Sequence, residues 1–243
     1  MLIYERRKIE LTNRIETLYG IFSYLRDNSF NKGRASERIR EFLCNSGYNV
    51  HISNEYNHNI ETLCDNAKFI IMTRYNSLFR CDADNNTSGL IATIILSELL
   101  SDYRKKIKFI FFDNDSSVLK TLKQYDENSN IINIECVGRG SNILISNSNK
   151  KNTIFRNDFM DYLNSKNVKY LVGQFLDGIY NNLHENKFNM FTIRRANFIK
   201  KEGKNELALP WISTNEDTVD KIDYKKLKGV ISLIEHYINN IMW

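Results

Sequence analysis

The chain has 243 residues, a formal net charge of +5, 42% hydrophobic and 12% aromatic residues. That composition excludes a disordered chain, which would carry few aromatics. The length suits one large α/β domain, which we expect to span 1–243 with residues 1–33 as an N-terminal packing helix. Lysines and arginines are scattered rather than clustered, so the charge reads as a solvated surface and no nucleic-acid partner is expected. No run of about 18 apolar residues occurs, and Met1-Leu-Ile-Tyr-Glu-Arg-Arg-Lys8 turns charged before an apolar leader could form. We therefore expect no membrane partner and a cytoplasmic protein.

The elements follow in chain order. Leu11, Ile15, Leu18, Phe22 and Leu25 form one stripe on a helix over 8–27. A second helix is predicted over 34–46, stopped by Gly47. Short strands are predicted at 48–53 and 67–73, and an apolar helix over 87–100. A near-continuous apolar strand at 107–112 leads through Asp113 into a helix ending near Tyr125. Strands follow at 130–137 and 142–146, then a helix over 157–165, a strand at 188–193 and a last helix over 224–241. The basic stretch Arg194 to Lys201 reads as the flank of a loop. Strands apolar on both faces and alternating with helices predict a three-layer α/β/α sandwich around a mixed, mostly parallel sheet. The Leu11 stripe and the apolar end Ile241-Met-Trp243 each read as core or as a homo-oligomer contact.

Cys44, Cys64, Cys81 and Cys136 form no C-x-x-C pair, so reduced thiols are expected, with Cys44 and Cys136 acting as small hydrophobes. Polar residues crowd three predicted strand ends: Arg74 to Ser77, Asp113 to Ser116, and Glu135 to Gly140. In open α/β sheets ligands bind beyond the carboxyl ends of the strands. The acidic loop Asp82 to Asn85 joins them, and several converging carboxylates need a cation among them. The same residues also read as ordinary strand-end caps and turn formers.

Five blocks carry a family resemblance. From about residue 34 onward the chain resembles the di-zinc aminopeptidases typified by bacterial leucyl aminopeptidase, whose fold also serves glutaminyl cyclases, the transferrin receptor and nicastrin. The family's G-A-H-x-D-S meets Met72-Thr-Arg-Tyr-Asn-Ser77. Its G-A-D-D-N-A-S-G meets Asp82-Ala-Asp-Asn-Asn-Thr-Ser-Gly89. Its F-x-x-E-E meets Phe112-Asp-Asn-Asp-Ser116, and N-x-D-M-x-G meets Asn133-Ile-Glu-Cys-Val-Gly138. Its H-T-x-x-D-T meets Ser213-Thr-Asn-Glu-Asp-Thr218. The resemblance implies a zinc-exopeptidase-like fold.

It also implies a degenerate site. The first metal histidine falls on Arg74, its orienting aspartate on Asn76, and the last metal histidine on Ser213. The bridging aspartate is kept as Asp84, followed by Asn85. The general base falls on Asp115, the adjacent ligand glutamate on Ser116, and the third carboxylate ligand on Glu135. A guanidinium stays protonated and is no metal ligand. Asp84 and Glu135 alone are weak metal candidates, because zinc wants three protein ligands and usually imidazole. We therefore expect no resident cofactor, with the Arg74 guanidinium spanning Asp84 and Glu135. His58 and His184 are the histidines that could approach the cleft from loops.

Two functions follow. One is a catalytically degenerate aminopeptidase-like protein, a pseudoenzyme binding a peptide or protein partner. The other is an active metallo-aminopeptidase or amidohydrolase with altered ligands, in which zinc or another divalent metal is the cofactor and Asp115 the general base.

Overall fold

The computed structural model describes residues 2–24, 26, 29–53, 59–77, 82–125, 129–147, 154–173, 188–201, 204–209, 212 and 214–242. Its helices are α1 (Leu2–Phe22), α2 (Ser29–Asn45), α3 (Ser88–Leu99), α4 (Asp115–Leu122), α5 (Ile154–Ser165) and α6 (Tyr224–Met242). Its strands are β1 (Val50–Ile52), β2 (Ile60–Thr62), β3 (Phe69–Arg74), β4 (Ile107–Phe112), β5 (Asn130–Ile134), β6 (Asn142–Asn147), β7 (Tyr170–Gly173), β8 (Asn189–Lys201) and β9 (Lys204–Ala208).

The sheet runs β1-β2-β4-β3-β5-β8-β6-β7. Its central pairings, β4 with β3, β3 with β5 and β5 with β8, are all parallel. Antiparallel pairs occur at β1/β2, β2/β4 and β6/β8. All six residues of Ile-Lys-Phe-Ile-Phe-Phe in β4 are buried. Such burial on both faces is what a covered parallel sheet requires.

Alternation then sorts the side chains by face. Phe69, Ile71, Phe109, Phe111, Ile132 and Phe191 share one core with residues of α1, α2, α3, α5 and α6. Ile70, Met72, Ile110, Phe112 and Ile131 turn to the other face, against Val118 and Leu122 of α4. The expected three layers are present, and among the described residues the second helical layer is α4 alone. The stripe on α1 is core: Ile15, Leu18 and Phe22 are buried. The helix ends at Phe22, short of the expected 27, and Leu25 lies outside the described residues. Helix α3 is apolar all round and buried from Ser88 to Ser97, as a helix inside a core should be.

Two expectations are corrected. Arg194 to Lys201 is no loop flank: it belongs to β8, which pairs β6 over Phe191–Ala196 and then folds onto β9. Cys44 is exposed rather than packed, whereas Cys64 and Cys136 are buried. Cys44 points outward because Ile39 and Leu43 already define the inward face of α2. No described helix is long and apolar enough to cross a membrane.

Strand β3 passes through α3 to β4 on one side, whereas β5 lies on its other side. The crevice beyond the ends of β3 and β5 is therefore where the connections diverge, the usual ligand position in an open α/β sheet.

Candidate functional site

The apolar run of β3 ends on Arg74, which is half-buried with its guanidinium carbon 5.8 Å from the centre of the Phe112 ring. Tyr75 donates its N–H to the Phe112 carbonyl at 3.0 Å, so pairing continues past the strand end. Asn76 follows and is buried.

Across the crevice β5 delivers Glu135. Its Oε1 accepts from Asn133 Nδ2 at 2.9 Å. Its Oε2 accepts from Arg194 on β8, from Nε at 3.2 Å and Nη2 at 2.5 Å. Both partners are nearly inaccessible, at 8% and 5% exposure. Burial alone would push the Glu135 carboxyl up. The guanidiniums of Arg194 and Arg74 and the Asn133 amide outweigh it and hold the group below its usual range.

The chain then turns sharply. Cys136 adopts φ 50°, a left-handed conformation that costs a non-glycine residue about 1–2 kcal/mol. The turn aims the Gly138 N–H at Asp84 Oδ1, 2.7 Å away.

Asp84 sits in a single π-helical turn, Ala83–Thr87, that opens α3. Such turns are frequent at functional sites. Asp84 is 2% exposed. Burial raises its carboxyl, and the Gly138 and Ser88 hydrogen bonds and the charges of Arg139 and Arg195 only partly offset that.

The turn is held from below by Asp217, whose two oxygens accept the N–H groups of Asp84 at 2.9 Å and Asn85 at 3.0 Å. Arg139 Nη2 lies 3.2 Å from Asp217 Oδ1. Burial pushes the Asp217 carboxyl up to about 6, helped by the nearby charge of Asp84 and opposed by these N–H groups and Arg139.

Beyond β4, Asp113 pairs with Lys32 of α2 at 2.8 Å. Asn114 caps α4 by accepting from Ser117 N at 3.0 Å, with Ser117 Oγ returning the bond. Ser116 is exposed and bonds Asn114. Asp115 opens α4, and its side chain is not among those described. Ser213, Cys81, His58 and His184 lie outside the described residues.

The structure thus brings Arg74, Asn76, Asp84, Asn85 and Glu135 to one end of the sheet. The Arg74 guanidinium, expected to span Asp84 and Glu135, acts on Glu135. Arg194 bonds Glu135 and Arg74 acts on the same group, while the guanidiniums of Arg139 and Arg195 act on Asp84. Sequence reasoning missed Arg194, Arg139 and Asp217. The signal for Asp217 was in the last aligned block, where the aspartate is retained. Arg194 gave none, because its partner is set by the β5/β8 register.

The Asp217 environment gives a pH prediction. Its folded value near 6 exceeds the ordinary aspartate value of about 3.9. The folded state therefore binds the proton more tightly. The stabilisation from this group is complete below about pH 4 and is lost as pH rises through about 6. Carboxyl ¹³C NMR should show Asp217 titrating near 6 and moving down in Asp84→Asn, which removes the charge that raises it. A titration in the ordinary range in both proteins would refute this.

No protein-family profile matches the chain, and no curated protein matches it. Solved structures do. The chain is similar to a zinc aminopeptidase from Bacillus subtilis, with TM-score 0.59 and 17% identity over 75% of this chain and 49% of that one. It therefore spans about half the length of that enzyme. It is also similar to the glutaminyl cyclase of Tannerella forsythia, with TM-score 0.71 and 13% identity over 95% of this chain and 97% of the other. A Zn-dependent exopeptidase from Parabacteroides distasonis gives TM-score 0.69 and 15% identity over 94% and 96%. At these identities the likeness establishes the fold: this chain is built as a zinc-exopeptidase-like α/β sandwich.

Zinc fits the described residues poorly. Both Glu135 oxygens are already in protein hydrogen bonds, and one Asp84 oxygen accepts a backbone N–H. Among the described residues no three His, Cys, Asp or Glu side chains gather in a way that could hold a metal ion.

Proposed function

We propose that this chain is a catalytically degenerate aminopeptidase-like domain that binds a peptide or protein partner at the crevice beyond β3 and β5. The observation that carries the reading is the Arg194–Glu135 pair: a carboxylate at a ligand position of the fold is bonded to a guanidinium of its own chain. Asp84 is likewise engaged by Gly138. Half-buried Arg74 is the charged side chain at the end of β3 that a ligand would meet. Free thiols at Cys44, Cys64 and Cys136 fit a reducing, cytoplasmic compartment.

The test is a panel of aminoacyl and glutaminyl reporter substrates with and without added zinc or manganese, run beside a fluorescent peptide library. The expected result is no turnover in any condition and peptide binding that Arg74→Glu abolishes. Metal-dependent turnover would refute the reading and favour the altered-ligand hydrolase, with Asp115 as its general base.

A further inference from the structure

Asn76 is 7% exposed. Its side-chain oxygen is shut off from solvent and meets no hydrogen-bond partner in the structure. Buried acceptors are almost always satisfied, because an unmet one forfeits its hydration for nothing. An apolar side chain of similar size would carry no such cost. Packing therefore does not account for an asparagine at this position.

The fold places this amide at the strand-end crevice. Tyr75 still pairs with β4 through its N–H, and its ring turns into the core that holds Ile71 and Phe111. Side chains alternate along an extended chain, so Asn76 points to the other face, which Arg74 takes two residues earlier. Phe112 lies on that face too, under the Arg74 guanidinium. Glu135 and Arg194 share it, since Ile134 and Ile193 turn into the opposite core.

Charge on this face selects the kind of ligand. Glu135 stands between two guanidiniums, bonded to Arg194 and acted on by Arg74. Those three charges sum to one net positive. Beyond β4, Asp113 is matched by Lys32. The oxygens that would hold an amine are in use: Glu135 accepts from Asn133 and Arg194, and Asp84 Oδ1 accepts from Gly138. A protonated amino terminus is therefore repelled here, whereas a carboxylate is attracted. Asn76 Oδ1 in turn needs an N–H donor. The part of a peptide that sets an N–H beside a carboxylate is its carboxyl end.

We infer that Asn76 reads the carboxyl end of a bound peptide, its Oδ1 accepting the last backbone N–H while the adjoining carboxylate lies toward Arg74. This rests on the peptide-binding reading of the crevice and names the end of the peptide that enters.

The test uses three probes: N-acetylphenylalanine, its N-methyl analogue, which lacks the N–H, and phenylalaninamide, which has a free amine and no carboxylate. Each is titrated into the ¹⁵N-labelled full chain while the backbone amides of residues 74–77 and 135–138 are followed. N-acetylphenylalanine is expected to shift them saturably and phenylalaninamide to leave them unmoved. The N-methyl analogue should bind about tenfold more weakly, as loss of one buried hydrogen bond implies. In Asn76→Leu, N-acetylphenylalanine should fall to the affinity of the N-methyl analogue, whose own affinity stays unchanged, while the denaturation midpoint holds or rises. A merely structural asparagine would lower the midpoint and leave the ratio of the two affinities intact. Should Asn76→Leu fail to fold, Asn76→Ala is read in the same way. Equal binding of the two acids, a preserved ratio in the variant, or no saturable shift with N-acetylphenylalanine would overturn the assignment. Saturable binding of phenylalaninamide alone would remove the assignment and leave a peptide-binding crevice. Metal-dependent turnover of the reporter substrates would remove both.

Discussion

Replacing Arg194 by methionine is expected to destabilise the protein by about 3 kcal/mol, the lower end of the 3–5 kcal/mol seen when one partner of a buried ion pair is removed. The lower end applies because the charge of Arg74 still acts on Glu135. For a chain of this size that loss corresponds to a fall in Tm of about 6–12 °C. The cost arises from leaving the Glu135 carboxylate buried without its Arg194 partner. Glu135→Gln should therefore recover much of it in the double variant, since the amide carries no charge. Thermal or urea denaturation of the two single variants and the double variant measures the coupling directly. Additive losses would mean that the pair is incidental to the crevice.

Gly89→Ala should cost at least as much, although alanine favours a helix over glycine by about 1 kcal/mol. A Cβ at this position would lie 2.4 Å from the Ile134 carbonyl oxygen and 2.8 Å from Thr73 Oγ1. The first is backbone of β5 and cannot swing away. Overpacking of a close-packed interior costs about 1–3 kcal/mol and occasionally more, and this contact is at the severe end. Gly89 lets the start of α3 lie directly on β3 and β5, which places the Asp84 turn at the strand ends. Gly229→Ala on α6 is the matched control, because nothing lies within 4 Å of its Cβ position. It should be neutral or stabilising. Equal denaturation midpoints for Gly89→Ala and wild type would contradict the packing described.

The fold was largely legible because its strongest signals are local. The strands Phe69–Arg74 and Ile107–Phe112 are apolar on both faces, and the 3–4 spacing of α6 survives intact at Leu227, Val230, Ile231 and Ile234. Strands β2, β7 and β9 went unread. β2 is three residues long and carries buried Glu61, which bonds Tyr125 and pairs with Lys108, so its burial follows from partners distant in sequence.

The candidate site was half legible. The blocks around Arg74, Asp84 and Glu135 predicted which residues converge. They could not show which cation holds which carboxylate, because Arg194 reaches Glu135 only through the parallel register of β5 and β8. Asp217 similarly reaches the Asp84 turn across 133 positions of sequence.

In the proposed reading, Asp84 and Glu135 are engaged by their own chain and hold no catalytic metal. The most direct test is metal content by mass spectrometry, on protein purified without chelator and again after incubation with zinc and desalting. Less than a tenth of an equivalent of metal is expected in both samples. One equivalent or more of retained metal would contradict it.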